Sequence, residues 1–279
     1  MDQHAKETGF QRHVRACNNA VLPGARLPFR IAATHVGWVA PAAVEALSRF
    51  PAMRVTADTV ELTEPEALDG IALALAERGV LRRRGEPFDV CARPELPALA
   101  RVDRGAIPFF GIRAAGVHLN GLVQRPDGLH MWVARRAMDK LLDPGKLDHI
   151  VAGGIPAGLT PLQTLIKEAG EEAAIPPDLA GKAVPVASFG YASERQEGLR
   201  RDWLYAYDLV LPEDFTPQPA DGEVEAFELW PIERAFEAVR DTDDFKFNVN
   251  LVLIDLFIRL GMIAGAEADT LRADLETDG

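Results

Sequence analysis

Residues 152–175 read AGGIPAGLTPLQTLIKEAGEEAAI, and the carboxylates in them are Glu168, Glu171 and Glu172. In a helix, at about 100° of rotation per residue, these three fall within an arc of roughly 100°. Leu162, Leu165, Ala169 and Ala173 occupy a separate face. Crowded carboxylates repel one another and their pKa values rise, a cost that a divalent cation removes. Hard cations take oxygen ligands, keep several waters and bind substrate phosphates alongside a few carboxylates. The spacing therefore suits Mg²⁺, with Mn²⁺ as the alternative, and chemistry at a phosphate. A solvated face of an amphipathic helix would show the same spacing.

Thr160, Pro161 and Gln163 stand where an N-cap, a first-turn proline and a capping-box partner belong. They predict a helix over about 161–174. Gly153, Gly154 and Gly158 allow the preceding loop unusual φ values and close approach to a ligand.

A chain of 279 residues with 48% hydrophobic content can build two cores. Residues 40–48 and 64–78 have helical patterns and residues 54–62 and 88–90 strand-like ones, which predicts a small α+β domain over 1–114. From Gly116, GVHLNGLV and LHMWVAR predict a hairpin turning at Pro126, Asp127 and Gly128. Further strands are expected near 183–190, 203–211 and 223–230, with helices near 232–240 and 247–260. The polar, acidic tail at 266–279 is expected to be partly disordered.

The formal net charge of −12 argues against a nucleic-acid partner, because a phosphate backbone is held mainly by basic patches. A small phosphorylated substrate is compatible if cations are focused locally. Cys17 and Cys91 are too few for a disulfide scaffold and read as reduced. The first residues lack the apolar core of a signal peptide. The apolar run at 251–263 is too short for a bilayer and is interrupted by Asp255 and Arg259. These features lead to the expectation of a cytoplasmic protein with no membrane partner. The histidines show no metal-ligand spacing, and neither a Walker loop nor a G-x-G-x-x-G fingerprint occurs.

The glycine loop and glutamate segment together resemble the Nudix box, G-x5-E-x7-R-E-U-x-E-E-x-G-U, where U is bulky and apolar. Glu168, Glu171 and Glu172 match its R-E-U-x-E-E carboxylates, and Gly153 and Gly154 its loop glycines. Lys167 replaces the arginine, Leu159 stands at the early glutamate, Ala174 replaces the late glycine, and the loop is one residue short. The flanks CNN at 17–19, VGWV at 36–39, GVHLNGLV at 116–123, MWVARR at 131–136 and DGEVEAF at 221–227 resemble a Nudix branch related to fungal thiamine pyrophosphokinase-type proteins.

The resemblance implies an α+β chain whose Nudix α/β/α sandwich, over 115–265, follows a smaller N-terminal domain of uncharacterised type. It implies a Mg²⁺-dependent pyrophosphohydrolase that cleaves an organic diphosphate, such as thiamine diphosphate or its oxidised analogues. Nucleoside diphosphate derivatives or a coenzyme are alternative substrates, and the altered box leaves open a non-catalytic ligand-binding regulator. Glu168, Glu171 and Glu172 become the catalytic and metal-binding groups, joined by the carbonyl of Gly153 or Gly154 and by Glu223, preferred over Glu225. Arg135 or Arg136, Lys167, Trp132 and Tyr191 are the candidate substrate contacts, with Trp203 as another stacking residue. Lys167 can instead brace Glu171. Trp38 is the candidate for bringing the first domain over the pocket, and a homodimer is the expected assembly.

Overall fold

The computed structural model describes residues 9–140, 142–220 and 222–276. Its first sheet, in the order β2-β1-β4-β3, is built from β1 (Leu27–Ile31), β2 (Thr34–Val39), β3 (Met53–Val55) and β4 (Val60–Leu62). The stretch at 54–62 is thus a turn between two paired strands, closed by the Thr56 N–H donating to the Thr59 carbonyl at 2.9 Å. Alternate residues Phe29, Ile31, Val60 and Leu62 point into one core. Short α2 (Val44–Leu47) and longer α3 (Leu68–Glu77) close that core, α3 through Leu68, Ile71, Ala72 and Leu75 at helical spacing. A separate hairpin follows, β5 (Pro87–Val90) and β6 (Ala100–Asp103), then α4 (Ile107–Phe110).

The larger sheet begins with the expected hairpin, β7 (Arg113–Arg125) and β8 (Gly128–Arg136). Two short strands, β9 (Leu147–His149) and β10 (Val151–Gly154), pair with β8 and β7 and lead into α5 (Pro161–Ala173) and α6 (Pro177–Ala180). Strands β11 (Val184–Arg195), β12 (Gly198–Val210) and β13 (Val224–Pro231) complete the order β11-β12-β7-β8-β13, with β12 parallel to β7. One face packs on α5 through Val117, Leu119, Val151, Leu165, Ala169 and Ala173. The other packs on α7 (Ile232–Asp241) and α8 (Val249–Arg259) through Met131, Val133, Leu204 and Ala206. This is a helix-sheet-helix sandwich beside a smaller α+β unit.

Two departures concern the chain ends. The segment at 266–276 is not disordered: α9 (Gly265–Leu275) buries Ala268, Leu271 and Leu275 on one side, while Glu267 and Asp269 face water and Asp274 accepts from Gln11; residues 277–279 lie outside the described residues. At the other end, α1 (Gln11–Cys17) does not belong to the first domain's core. Phe10, Val14 and Cys17 join Phe257, Leu271 and Leu275 in the core of the second. The sequence at 1–8, read for targeting, lies outside the described residues. No helix among the described residues is long and apolar enough to cross a membrane.

Candidate functional site

Helix α5 starts at the expected cap. The Gln163 N–H donates to Thr160 Oγ1 at 3.3 Å and the Thr160 N–H to Gln163 Oε1 at 3.0 Å. These bonds satisfy donors that a helix start otherwise leaves unpaired. Leu165, Ala169 and Ala173 then press the helix onto the sheet, while Leu162 in the first turn stays 40% exposed. This rotation puts the glutamates at graded depth, Glu172 buried, Glu168 mostly covered and Glu171 at the rim.

Glu172 accepts the Ala152 N–H of β10 at 2.9 Å. Burial pushes its carboxyl well above the usual range, the Ala152 bond opposes this, and Asp148, Glu168 and Glu223 add to the rise. Burial also raises Glu168, against the pull of Lys167. A Cβ on Gly153 would lie 2.6 Å from Glu168 Cγ, so only glycine lets the helix sit this close to β10. Lys167 donates to Glu168 at 3.0 Å and also to Glu171, whose bond is the main cause of the lysine's raised pKa. It bridges two carboxylates from the outside of the site.

Glu223 precedes β13 and lies close enough to act on both Glu168 and Glu172. It also pairs with Lys140. Glu225 does not share its face through strand alternation, because the β8–β13 register slips between Val224 and Ala226 and leaves Glu225 as the extra residue. Glu168, Glu172 and Glu223 offer only oxygen ligands, and Glu172 is a buried carboxylate with raised proton affinity. That donor set fits a hard divalent cation held partly through water and substrate oxygens.

Beyond β10 the chemistry changes sign. A cleft of about 60 Å³ is lined by Gly153, Gly154, His118, Arg200, Lys246 and Asn248, among others. Arg200 is held by Asp202 at 2.6 Å and reaches the Tyr191 hydroxyl at 3.2 Å. Lys246 and Arg136 share Asp148, at 3.3 and 2.7 Å. Burial works to raise the Asp148 carboxyl, but these two cations hold it at about 2. His118 and His149 meet through their Nδ1 atoms at 3.0 Å. Burial lowers His118 well below 6.5 and His149 to about 4, so both rings are neutral at pH 7.

The histidines are therefore not scattered. Among the described residues, His118, Asp148 and His149 bring three ligand atoms within 4.8 Å of one another. With Arg136 and Lys246 already on Asp148, the group is a polar cluster beneath the cleft whose one carboxylate is taken up by two cations.

The expected aromatic and arginine contacts lie elsewhere. Tyr191 is fully buried with its hydroxyl on Asp202, leaving no ring face for a ligand. Trp132 packs between the sheet and α5, covered by the core it helps to fill. Arg135 donates to the Gly145 carbonyl at 3.2 Å and faces Glu228 at 3.8 Å, and Arg136 is spent on Asp148 and the 142–143 carbonyls. Trp203 lies under Arg113, and Trp38 packs edge-on against His35 rather than over the cleft. The cleft cations Arg200 and Lys246 carried no local motif; alternation along RRDW and the FKFN run was their only sequence signal.

Comparison with known proteins follows the same division. Residues 9–114 match the family model described as a domain of unknown function, DUF4743, and residues 116–249 match the NUDIX domain. The chain is 35% identical over 276 residues to Nudix hydrolase 20, chloroplastic, of Arabidopsis thaliana, covering 92% of this chain and 74% of the relative. It is also 35% identical over 270 residues to Nudix hydrolase 24, chloroplastic, of the same plant, with the same coverage. Among solved structures, the NUDIX domain of Shewanella oneidensis NrtR complexed with ADP ribose aligns at 15% identity and TM-score 0.42, covering 54% of this chain and 90% of that one.

Proposed function

Because this chain belongs to the Nudix hydrolase family, whose members act on pyrophosphate bonds, we propose that it is a Mg²⁺-dependent pyrophosphohydrolase that cleaves an organic diphosphate to a monophosphate and phosphate. The carrying observation is Glu172, buried on the Ala152 N–H beside Gly153, with Glu168 and Glu223 acting on the same spot. In this reading Glu168, Glu171, Glu172 and Glu223 hold the cation, with the Gly153 carbonyl as a further ligand. A divalent cation held by these residues would supply neutralisation of the diphosphate oxygens and a more acidic water. Water adds to the terminal phosphorus, the bond from that phosphorus to the bridging oxygen breaks, and a carboxylate takes the proton that water gives up. Lys167 positions Glu168 and Glu171 rather than touching phosphate.

The substrate we propose is a thiamine diphosphate analogue, on the likeness of the flanking segments to the thiamine-related Nudix branch. Arg200 and Lys246 repel a thiazolium, so analogues whose oxidised ring has lost that charge are favoured over thiamine diphosphate itself. The test is loss of substrate, followed by chromatography, for thiamine diphosphate, its oxidised analogue and ADP-ribose with Mg²⁺ or Mn²⁺. Faster turnover of ADP-ribose than of either thiamine compound would refute the substrate, and silence toward all of them the hydrolase. A homodimer in the cytoplasm belongs to the same proposal, to be checked by light scattering and cell fractionation.

A further inference from the structure

The first domain is bonded to the glycine loop. The Ala157 N–H donates to the Pro87 carbonyl at 2.8 Å, and the Gly158 N–H to Asp89 Oδ2 at 2.7 Å. Arg101 holds the other oxygen of Asp89 at 2.9 Å. The same hairpin places Phe88 and Arg104 on Gly154: a Cβ there would come within 2.7 Å of the Phe88 ring and 3.5 Å of the Arg104 guanidinium carbon. Arg104 lies over the Phe88 ring at 5.5 Å and bonds Glu86 at 2.8 Å. Both side chains line the cleft that His118, Arg200, Lys246 and Asn248 line from the other side.

Charge across this seam is not balanced in place. Glu86 answers Arg104 and Asp202 answers Arg200, but Asp148 is shared between Lys246 and Arg136. Two buried cations thus lean on one buried carboxylate at the floor of the cleft, an arrangement that an anionic oxygen of a ligand would stabilise. Guanidiniums also crowd from both domains, since burial lowers the pKa of Arg84 and Arg104 and Arg200 lower it further. A second, independent sign is Asn248. It is 3% exposed, lines the cleft, and its buried Oδ1 has no hydrogen-bond partner among the described residues. Buried acceptors are satisfied in the great majority of cases, so this oxygen calls for a donor on a ligand.

We propose that the seam between the domains is the site for the organic half of the substrate, with Phe88 and Arg104 of the first domain as one wall and His118, Arg200, Lys246 and Asn248 as the other. Its ligand is a phosphorylated compound that offers an anionic oxygen to the cations and an N–H or O–H donor to Asn248. Phe88 is buried beneath Arg104 and against Gly154, so it supports Arg104 at this wall and sets the wall's shape. The assignment rests on the diphosphatase reading for the direction of the phosphates, and it gives the first domain a role in specificity.

The experiment uses the full chain and its Arg104→Gln and Phe88→Leu variants, each checked by its unfolding midpoint. Titration calorimetry with thiamine diphosphate, its oxidised analogue, ADP-ribose and inorganic diphosphate, with Ca²⁺ in place of Mg²⁺, reads binding without turnover. Arg104→Gln is expected to weaken the organic diphosphates about tenfold relative to inorganic diphosphate, the size of one charge-assisted hydrogen bond. KM should rise by a similar factor. Phe88→Leu, which removes the ring beneath Arg104, should weaken the same organic diphosphates by a smaller factor and leave inorganic diphosphate unchanged. If wild type hydrolyses an organic diphosphate and both variants bind it as tightly, the wall is wrong while the hydrolase reading stands. If wild type hydrolyses nothing yet binds a compound that Arg104→Gln releases, the seam site stands and the hydrolase reading falls. Absence of binding by wild type overturns the seam site outright.

Discussion

On one side of strand β10 stand Glu168, Glu171, Glu172 and Glu223; on the other stand Arg200, Lys246 and, from the first domain, Arg104. The acidic side is mostly one helix, and burial raises the pKa of its two deeper carboxylates, Glu172 and Glu168. The cationic side comes from separate segments, Arg104 held by Glu86, Arg200 by Asp202, and Lys246 by the Asp148 that it shares with Arg136. Between them run Gly153 and Gly154, which present no side chain. A diphosphate laid across these glycines would meet a cation held by glutamates at one end and fixed protein cations at the other. The contrast teaches that a metal-binding face can be written in one helix, whereas a cleft for an organic phosphate needs the fold.

The comparison breaks most sharply at Glu172. Glu172→Gln keeps an acceptor for the Ala152 N–H but removes the charge, and turnover of the best diphosphate should fall about a thousandfold, ~4 kcal/mol. Its raised pKa means that the unfolded chain gives up this proton at a lower pH than the folded chain, so stability is lost from the unfolded value upward as the pH rises toward the folded one. The metal-free variant should therefore unfold at the same or higher urea than wild type at pH 7. Turnover within a few-fold of wild type would remove the acidic side from the chemistry.

On the cationic side, Asp148→Asn leaves Lys246 and Arg136 buried without their shared partner. The expected loss is about 4 kcal/mol in urea unfolding at pH 7, with no comparable loss in Glu172→Gln. Equal stability losses in the two variants would erase the distinction between the sides.

The neutral histidines sharpen the comparison through pH. His149 moves from 6.5 to about 4 on folding, so between these values the unfolded chain binds a proton that the folded chain refuses. The stabilisation is full above pH 6.5 and is lost as the pH falls toward about 4, ~3 kcal/mol in all. Urea midpoints taken across this window should slope less in His149→Gln, and an unaltered slope would show that the ring titrates alike in both states.

The smallest effect lies at the end of α5. Ala174 caps the helix at φ 53, in the left-handed region that favours glycine. Ala174→Gly should stabilise the fold by about 1 kcal/mol and leave turnover alone. A destabilised variant would mean that the departure from the box at this position is not strained.

Much of the acidic side was legible in the sequence. Thr160, Pro161 and Gln163 mark the start of α5 through contacts within one turn, and the glutamate spacing sets their arc. The β7–β8 hairpin was readable from apolar runs around a turn. Leu162 shares the apolar face yet stays exposed, because periodicity does not say where a helix overhangs its sheet. Trp132 and Tyr191 were misjudged because an aromatic near a site looks the same in sequence whether it stacks on a ligand or fills a core. The tail after Gly265 looked only acidic, yet three apolar residues on one side were enough to dock it.

By itself the sequence determined the glutamate helix, its cap, the glycines before it and the alternating strands that carry it, since each depends on neighbours a few positions away. Only the tertiary structure decided that His118 meets His149, that Lys246 shares Asp148 with Arg136, and that Phe88 and Arg104 reach Gly154. The physical reason is the range of the interactions: helix spacing is a local geometry, whereas the charges of the cleft meet through strand pairing and domain packing, which no short window of residues records.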